Sequence, residues 1–142
     1  MSFSVGDTFL LHAPSTDRLH LFITLCEPFL DPLGDPLAVI AVPLTTPTVM
    51  TDKTVLLLPK DHPFIRYETA VSYNFMTRLA IAGLARLEQD NINKYEGKTF
   101  VRCEPLRGDV LNRVIAGALT SELSPRGVKR KLIEILSGAQ KS

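Results

Sequence analysis

The chain has 142 residues, of which 45% are hydrophobic and 22% are charged, as in a globular domain and unlike a disordered chain. Its formal net charge of +1 excludes a strong overall attraction to nucleic acid or to an anionic membrane, so any such surface must be a local patch. The longest apolar runs have about five residues, far fewer than the roughly 20 that span a bilayer. The start "MSFSVGDTF" lacks the features of a signal peptide. We therefore expect one cytoplasmic domain over residues 1–142 with no membrane partner.

Cys26 and Cys103 are too few for a disulfide framework or a metal cluster. We expect both to be small, reduced side chains in or near the core. The three histidines are scattered, and no pair of His or Cys residues has the spacing of metal ligands. The sequence also lacks a phosphate-binding loop and a dinucleotide-binding glycine pattern. Neither a metal nor a cofactor is therefore predicted.

Six apolar segments rich in β-branched and aromatic residues predict strands, at 7–13, 19–26, 37–46, 53–58, 69–76 and 98–104. The turn-rich "PSTDR" between the first two predicts a hairpin. The third segment, "LAVIAVPLTT", is almost continuously apolar, which is typical of a strand buried on both faces. In the fifth, Val71, Tyr73 and Phe75 alternate with polar residues. The pattern over 77–97 leaves open whether a strand there becomes a helix.

The C-terminal part of the chain predicts two helices within about 108–138. Apolar residues recur at helical spacing in "GDVLNRVIAGALTSEL", and Ser124-Pro125 suggests an N-cap and first turn for the next helix. Gly138 is a plausible stop. Closely spaced strands followed by helices favour a mostly β fold with C-terminal helices, an α+β class in which a small antiparallel barrel at about 5–104 carries the helices.

Polar side chains near the predicted strand ends form three clusters. Arg18 and His20 lie beside the first hairpin turn, Thr45 and Thr46 end the third strand, and the loop "PKDHPFIRY" over 59–67 contains Lys60, His62 and Arg66. A barrel brings strand ends together, so the clusters could share one rim with a base, cations and hydroxyl donors. Metal-free cleavage of RNA needs that set. Alternatively, the clusters are ordinary turn and strand-end residues, with Asp61 or His62 capping the loop and Phe64-Ile65 plugging the barrel end.

The order of motifs resembles the MazF/PemK (Kid/CcdB-like) toxin family of type II toxin–antitoxin systems. The matching segments are "VGDTFLLHA", "RLHLFITLC", "AVPLTT", "KTVLLL" and "AVSYNF", followed by a C-terminal helix. The resemblance implies an SH3-like barrel, a homodimer, a cognate antitoxin partner and metal-independent cleavage of single-stranded RNA, whereas relatives on the same fold poison DNA gyrase. It matches the family's catalytic Thr to Thr45, the Arg that begins the second strand to His20, and charged positions of a later strand to Ser72 and Asn74.

From these observations the sequence predicts a toxin that is an endoribonuclease acting by 2′-hydroxyl attack. The predicted acid–base pair is His20 and His62, Thr45 positions the substrate, and the phosphate contacts are Arg18, Arg66 and Lys60. The alternative is a non-catalytic toxin or regulatory binding module that acts on a protein target such as gyrase. Such a module could use the basic run of the last helix, which is equally typical of a solvated helix face: Arg126, Lys129, Arg130 and Lys131.

Overall fold

The computed structural model describes residues 3–12, 19–30, 37–93 and 100–138. In this part of the chain, antiparallel strands form one sheet, and helices precede and follow its last strand. The strands are β1 Thr8–His12, β2 Leu19–Thr24, β3 Ala38–Thr45, β4 Leu56–Leu57, β5 Thr69–Val71, β6 Thr77–Ala80 and β7 Phe100–Cys103. The helices are α1 Ile81–Asn93, α2 Gly108–Thr120 and α3 Arg126–Leu136. None of these helices has the length and hydrophobicity needed to cross a membrane.

The strand order is β4-β5-β3-β2-β1-β7, and β6 also pairs with β3. The predicted hairpin is confirmed, with Thr8 opposite Ile23 at one end and His12 opposite Leu19 at the other. The α+β class is also confirmed, but "mostly β" is wrong, because α1 occupies the segment that the sequence left open and the described helices contain more residues than the strands. Within the described residues the sheet is open, since β4 and β7 lie at its two ends.

Both faces of the sheet are covered. Side chains that alternate along the strands divide into two apolar clusters, with Leu21, Ile23, Ile40 and Val42 in one and Phe9, Phe22, Val39 and Ala41 in the other. The apolar sides of α2 and α3 contribute to the first cluster, and α1 contributes Leu84 to the second. The prediction that β3 is buried on both faces is confirmed, because seven of its eight residues are buried.

Pro43 lies inside this central strand, although proline cannot donate a hydrogen bond to a neighbouring strand. On one edge of β3, Ala38–Ala41 pairs with β6, whereas Leu44 and Thr45 pair with β5. Pro43 falls between these two stretches, where its carbonyl accepts a 2.9 Å hydrogen bond from the Ser72 amide. The missing donor therefore coincides with the point at which β3 changes partners.

Two predicted strands are shorter than expected. Of 53–58 only Leu56–Leu57 is a strand, and of 69–76 only Thr69–Val71, because Tyr73–Phe75 is a 3₁₀ helix. The Tyr73 hydroxyl donates a 2.6 Å hydrogen bond to the Val114 carbonyl on α2, which draws this segment out of the sheet. The predicted alternation is accordingly wrong at Phe75, which is 59% exposed.

The start of α3 also differs from the prediction. Pro125 precedes the first helical residue, and the Ser124 hydroxyl donates to the Ala118 carbonyl of α2 at 2.9 Å, so it does not cap α3. Ser124 therefore connects the two helices. The predicted stop is confirmed, since Gly138 follows the helix with a φ of +79°, a conformation that glycine adopts without strain.

Both cysteines are free thiols. Cys26 is buried, and burial raises the pKa of its thiol to about 11, only partly offset by a hydrogen bond with the Ile40 backbone. Cys103 is half-buried, and burial raises its pKa as well. Both side chains are therefore less reactive than an ordinary exposed thiol at neutral pH.

Gly117 allows α2 to pack closely on the sheet. A Cβ atom at this position would overlap the Tyr73 hydroxyl and the Val55 side chain. The Tyr73 ring is fully buried, and burial raises the pKa of its phenol, so the hydroxyl stays protonated and remains a donor to Val114. The contact between α2 and the Tyr73–Phe75 turn thus depends on the absence of a side chain at position 117.

We predict that Gly117→Ala lowers the free energy of unfolding by about 2 to 3 kcal/mol, because the overlap displaces Tyr73 and weakens its buried hydrogen bond. Gly127→Ala in α3 is the matched control, since no atom lies within 4 Å of the added Cβ. This control should be neutral or stabilising by up to about 1 kcal/mol. Chemical denaturation measures both. Equal stability of the two variants would contradict the prediction.

Candidate functional site

An open pocket of about 510 Å³ lies where the start of β2, the end of β3 and the loop before β5 meet. Its polar lining includes His20, Thr45 and Arg66, so residues from all three predicted clusters are brought together. The pairing of the strands explains this. Phe22 lies opposite Pro43, so continuing along the two antiparallel strands brings His20 and Thr45 to the same end of the sheet. Thr45 also pairs with Ala70 of β5, which brings the preceding loop to this end.

The imidazole of His20 has a defined orientation. Its Nδ1 atom lies 3.0 Å from the Leu44 carbonyl oxygen. Because a carbonyl oxygen can only accept, Nδ1 carries the proton in this contact. In the neutral ring Nε2 is therefore the unprotonated nitrogen, which is the arrangement of a histidine that acts as a general base.

Arg66, Tyr67 and the threonine hydroxyls form the polar side of the pocket. Arg66 and Tyr67 are exposed, and no acidic side chain among the described residues forms an ion pair with Arg66. The Thr69 hydroxyl donates to the Tyr67 carbonyl at 2.8 Å, which fixes the end of the loop. The described lining residues thus offer a guanidinium group and several hydroxyls, with no carboxylate among them.

His62 is not part of this pocket. It is only 3% exposed, and its Nε2 atom lies 2.6 Å from the Glu104 carbonyl and 3.2 Å from the Thr8 hydroxyl. Its Nδ1 atom accepts a 3.0 Å hydrogen bond from the Phe64 amide. Nε2 thus holds the 59–67 loop against β1 and the end of β7, and Nδ1 fixes the turn within the loop. We therefore remove His62 from the proposed acid–base pair and assign it a structural role.

The other side chains of this loop also separate into structural and pocket residues. Asp61 is buried, accepts a 2.7 Å hydrogen bond from the Leu58 amide and lies 3.1 Å from the Arg113 guanidinium. Asp61 and His62 both hold the turn, as the alternative prediction had it. Ile65 is buried in the core, whereas Phe64 is 46% exposed and lines the pocket. Of the two residues that were predicted to plug the barrel end, only Ile65 is therefore buried.

Three further residues that the sequence analysis singled out do not line the pocket: Lys60, Ser72 and Asn74. Lys60 is exposed, and its carbonyl accepts a 2.7 Å hydrogen bond from Arg107. Ser72 is buried, and Asn74 is exposed on the 3₁₀ helix. Arg18 lies outside the described residues. Sequence reasoning missed Thr48 and Thr69, which line the pocket and carry no signal that distinguishes them from other threonines.

The loop between β3 and β4 is attached to the end of α2. The Asp52 carboxylate accepts a 2.6 Å hydrogen bond from the Ser121 hydroxyl and further bonds from Thr54. Burial alone would raise the pKa of Asp52, but these hydrogen bonds outweigh it and lower the pKa below its ordinary value. The loop that contributes Thr48 to the pocket is thus held by an ionised carboxylate.

The basic run of α3 is not one continuous surface. Lys131 is largely covered, lying 5.3 Å from the Phe29 ring centre and 3.7 Å from Glu134. Lys129 reaches the Ser121 carbonyl at 3.4 Å. Only Arg126 and Arg130 are fully on the solvent side, beside the exposed apolar side chains of Ile133 and Leu136.

Among the described residues, no group of three or more His, Cys, Asp or Glu side chains is placed to hold a metal ion. A scan of the sequence against models of known protein families finds no match, and a search of curated proteins finds no relative. The candidate site therefore rests on its own geometry.

We predict that His62→Ala lowers the free energy of unfolding by about 2 to 4 kcal/mol, because it leaves a cavity and removes hydrogen bonds to Glu104 and Phe64. Lys60→Ala is the control in the same loop and should change stability by less than about 0.5 kcal/mol, since Lys60 binds Arg107 through its backbone. Urea denaturation measures both. If His62→Ala loses activity while its stability is unchanged, the result would contradict the structural role and support the predicted role of His62 in acid–base catalysis.

Proposed function

We propose that this protein is a metal-independent endoribonuclease that cleaves single-stranded RNA in the pocket between β2, β3 and the 59–67 loop, and that it acts as the toxin of a toxin–antitoxin system. The observation that carries the proposal is the convergence of His20, Thr45 and Arg66 on one open pocket. An imidazole, a hydroxyl and a guanidinium are the groups that 2′-hydroxyl attack on a phosphodiester requires.

In the proposed reaction, Nε2 of His20 takes the proton of the RNA 2′-hydroxyl, and the oxygen attacks the adjacent phosphorus. The bond from phosphorus to the 5′-oxygen of the next nucleotide breaks, leaving a cyclic phosphate, and water protonates the leaving oxygen. Arg66 stabilises the negative charge on the phosphorane, and the Thr45 hydroxyl donates to a phosphate oxygen. The hydrogen bond from Nδ1 to the Leu44 carbonyl keeps the ring in one orientation during the step.

The chemistry of the lining supports a reaction without a divalent metal. Among the described lining residues there is one histidine and no carboxylate or thiol. Mg²⁺ and similar hard cations are bound in proteins through carboxylates, so this donor set does not fit them. The phosphate charge would instead be neutralised by Arg66.

The toxin assignment rests on the motif resemblance. We propose with it that the sheet bends into an SH3-like barrel in which β3 belongs to both halves. We also propose that the protein forms homodimers in the cytoplasm and that a cognate antitoxin neutralises it. The bend is supported by the change of partner along β3, from β6 at its start to β5 at its end. An antitoxin that covers the pocket would block access of RNA to His20.

The purified protein is expected to cleave single-stranded RNA in the presence of EDTA. His20→Ala and Arg66→Ala should each lower the rate at least about a hundredfold. The first variant removes the base, and the second removes the cation that neutralises the charge on the phosphate oxygens. Lys60→Ala is the matched control, since this cation lies in the same loop outside the pocket, and its rate should stay within about twofold of the wild type. Intact RNA after incubation with folded wild-type protein would overturn the proposal.

A second candidate function is a non-catalytic binding module, and the exposed side of α3 favours it. Ile133 and Leu136 lie on the solvent side of the helix beside Arg126 and Arg130, a mixture of apolar and cationic groups suited to a protein partner. In this case α3, and not the pocket, would carry the activity.

Induced expression in a bacterial host separates the two functions. The endoribonuclease proposal predicts growth arrest that His20→Ala abolishes and the double variant Arg126→Glu, Arg130→Glu leaves intact, because the two cations lie outside the pocket. The opposite pattern, with arrest lost only in the α3 variant, would favour the binding module. Soluble expression and thermal denaturation of each variant provide the control for folding.

A further inference from the structure

We infer that Phe64 and Tyr67 form a stacking site for an unpaired nucleobase at the mouth of the pocket. This inference rests on the proposed function and adds to it the residues that hold the base beside the reacting phosphate. The two rings line the same pocket, and they stay 46% and 61% exposed although each could bury a large apolar area. Arg66 lies between them in the sequence and lines the pocket too.

The backbone that carries the two rings is fixed at several points. The Phe64 amide donates to His62 Nδ1, and the Ile65 amide donates to the His62 carbonyl, both at 3.0 Å. The Ile65 side chain is buried between the exposed residues, and the Tyr67 carbonyl accepts from the Thr69 hydroxyl. A platform that is already ordered loses little conformational entropy when a ligand binds. This arrangement explains how a buried histidine outside the pocket contributes to the pocket.

The chemistry of this surface fits an unpaired base next to a phosphate. Every nucleobase has a flat π-face that stacks on an aromatic side chain, and proteins that bind single strands combine such rings with cations along the backbone. Here the cation is Arg66, and the threonine hydroxyls at 45, 46 and 48 supply further polar contacts. A paired base is stacked within its helix and does not reach the rings. The platform therefore predicts a preference for single strands over duplexes.

Fluorescence anisotropy with a labelled 2′-O-methyl RNA tests the inference, because this oligonucleotide lacks the attacking hydroxyl and is not cleaved. Phe64→Leu and Tyr67→Leu should each weaken binding about 5- to 100-fold, the range of one lost stacking contact. Tyr67→Phe keeps the ring and should bind within about twofold of the wild type. Phe75→Leu is the matched control, because this ring is 59% exposed but does not line the pocket, and its binding should be unchanged.

A blunt-ended RNA duplex of the same sequence should bind at least about tenfold more weakly than the single strand. Equal affinity for both forms, or unchanged binding by both leucine variants, would overturn the inference. Ring-dependent binding of the 2′-O-methyl strand without cleavage of unmodified RNA would sink the nuclease proposal and keep the stacking site. Cleavage of unmodified RNA that neither leucine substitution changes would overturn the stacking site and keep the nuclease proposal. No binding of RNA at all would overturn both.

Discussion

The central constraint on this fold is that β3 is occupied on both faces and along both edges. Its side chains enter two apolar clusters, one under α2 and α3 and one under α1. Its backbone pairs with β2 on one edge and, successively, with β6 and β5 on the other. A strand in this position can shift neither sideways nor along its axis without exposing apolar surface or losing hydrogen bonds, so it is the rigid reference for every neighbouring element. The pocket lies at its end, where the covering elements stop.

One side of the pocket is formed by paired strands, and the other is formed by a loop whose position depends on buried residues. His20 and Thr45 are placed by strand pairing, whose register is set by the core. Phe64, Arg66 and Tyr67 lie on a loop whose position depends on His62, Asp61 and the buried Ile65. The His62 contact with Glu104 joins this loop to the end of β7. Stability and site geometry are thus linked through a few buried polar contacts, which is typical of sites built on loops.

The sequence was sufficient for elements whose apolar pattern has one clear period. The first hairpin, β3, α2, α3 and the stop at Gly138 were predicted because local spacing matched their geometry. It was insufficient where a contact distant in sequence decides the local structure. The 69–76 segment reads as a strand, but a hydrogen bond between Tyr73 and Val114, 41 positions apart, makes part of it a 3₁₀ helix.

The candidate site shows the same division. The sequence analysis expected His20, Thr45 and Arg66 to meet because a barrel brings strand ends together, and in the structure the antiparallel pairing of β3 with β2 and β5 places them in one pocket. The role of His62 did not follow, because a histidine is a base or a structural donor according to its partners, and its partner Glu104 is 42 positions away. The many titratable side chains within "PKDHPFIRY" correctly indicated an important loop. They did not indicate which side chains of the loop contact the pocket.

The close approach of Tyr73 to Gly117 has a consequence for recognising relatives of this chain. The tyrosine hydroxyl reaches the Val114 carbonyl only because position 117 carries no side chain, so the two residues form one structural unit although they lie 44 positions apart in the sequence. A homologue that retains both Tyr73 and Val55 must retain the glycine, whereas alanine or serine at position 117 requires smaller residues at both of these positions. The three positions together give a search pattern that does not depend on overall sequence similarity.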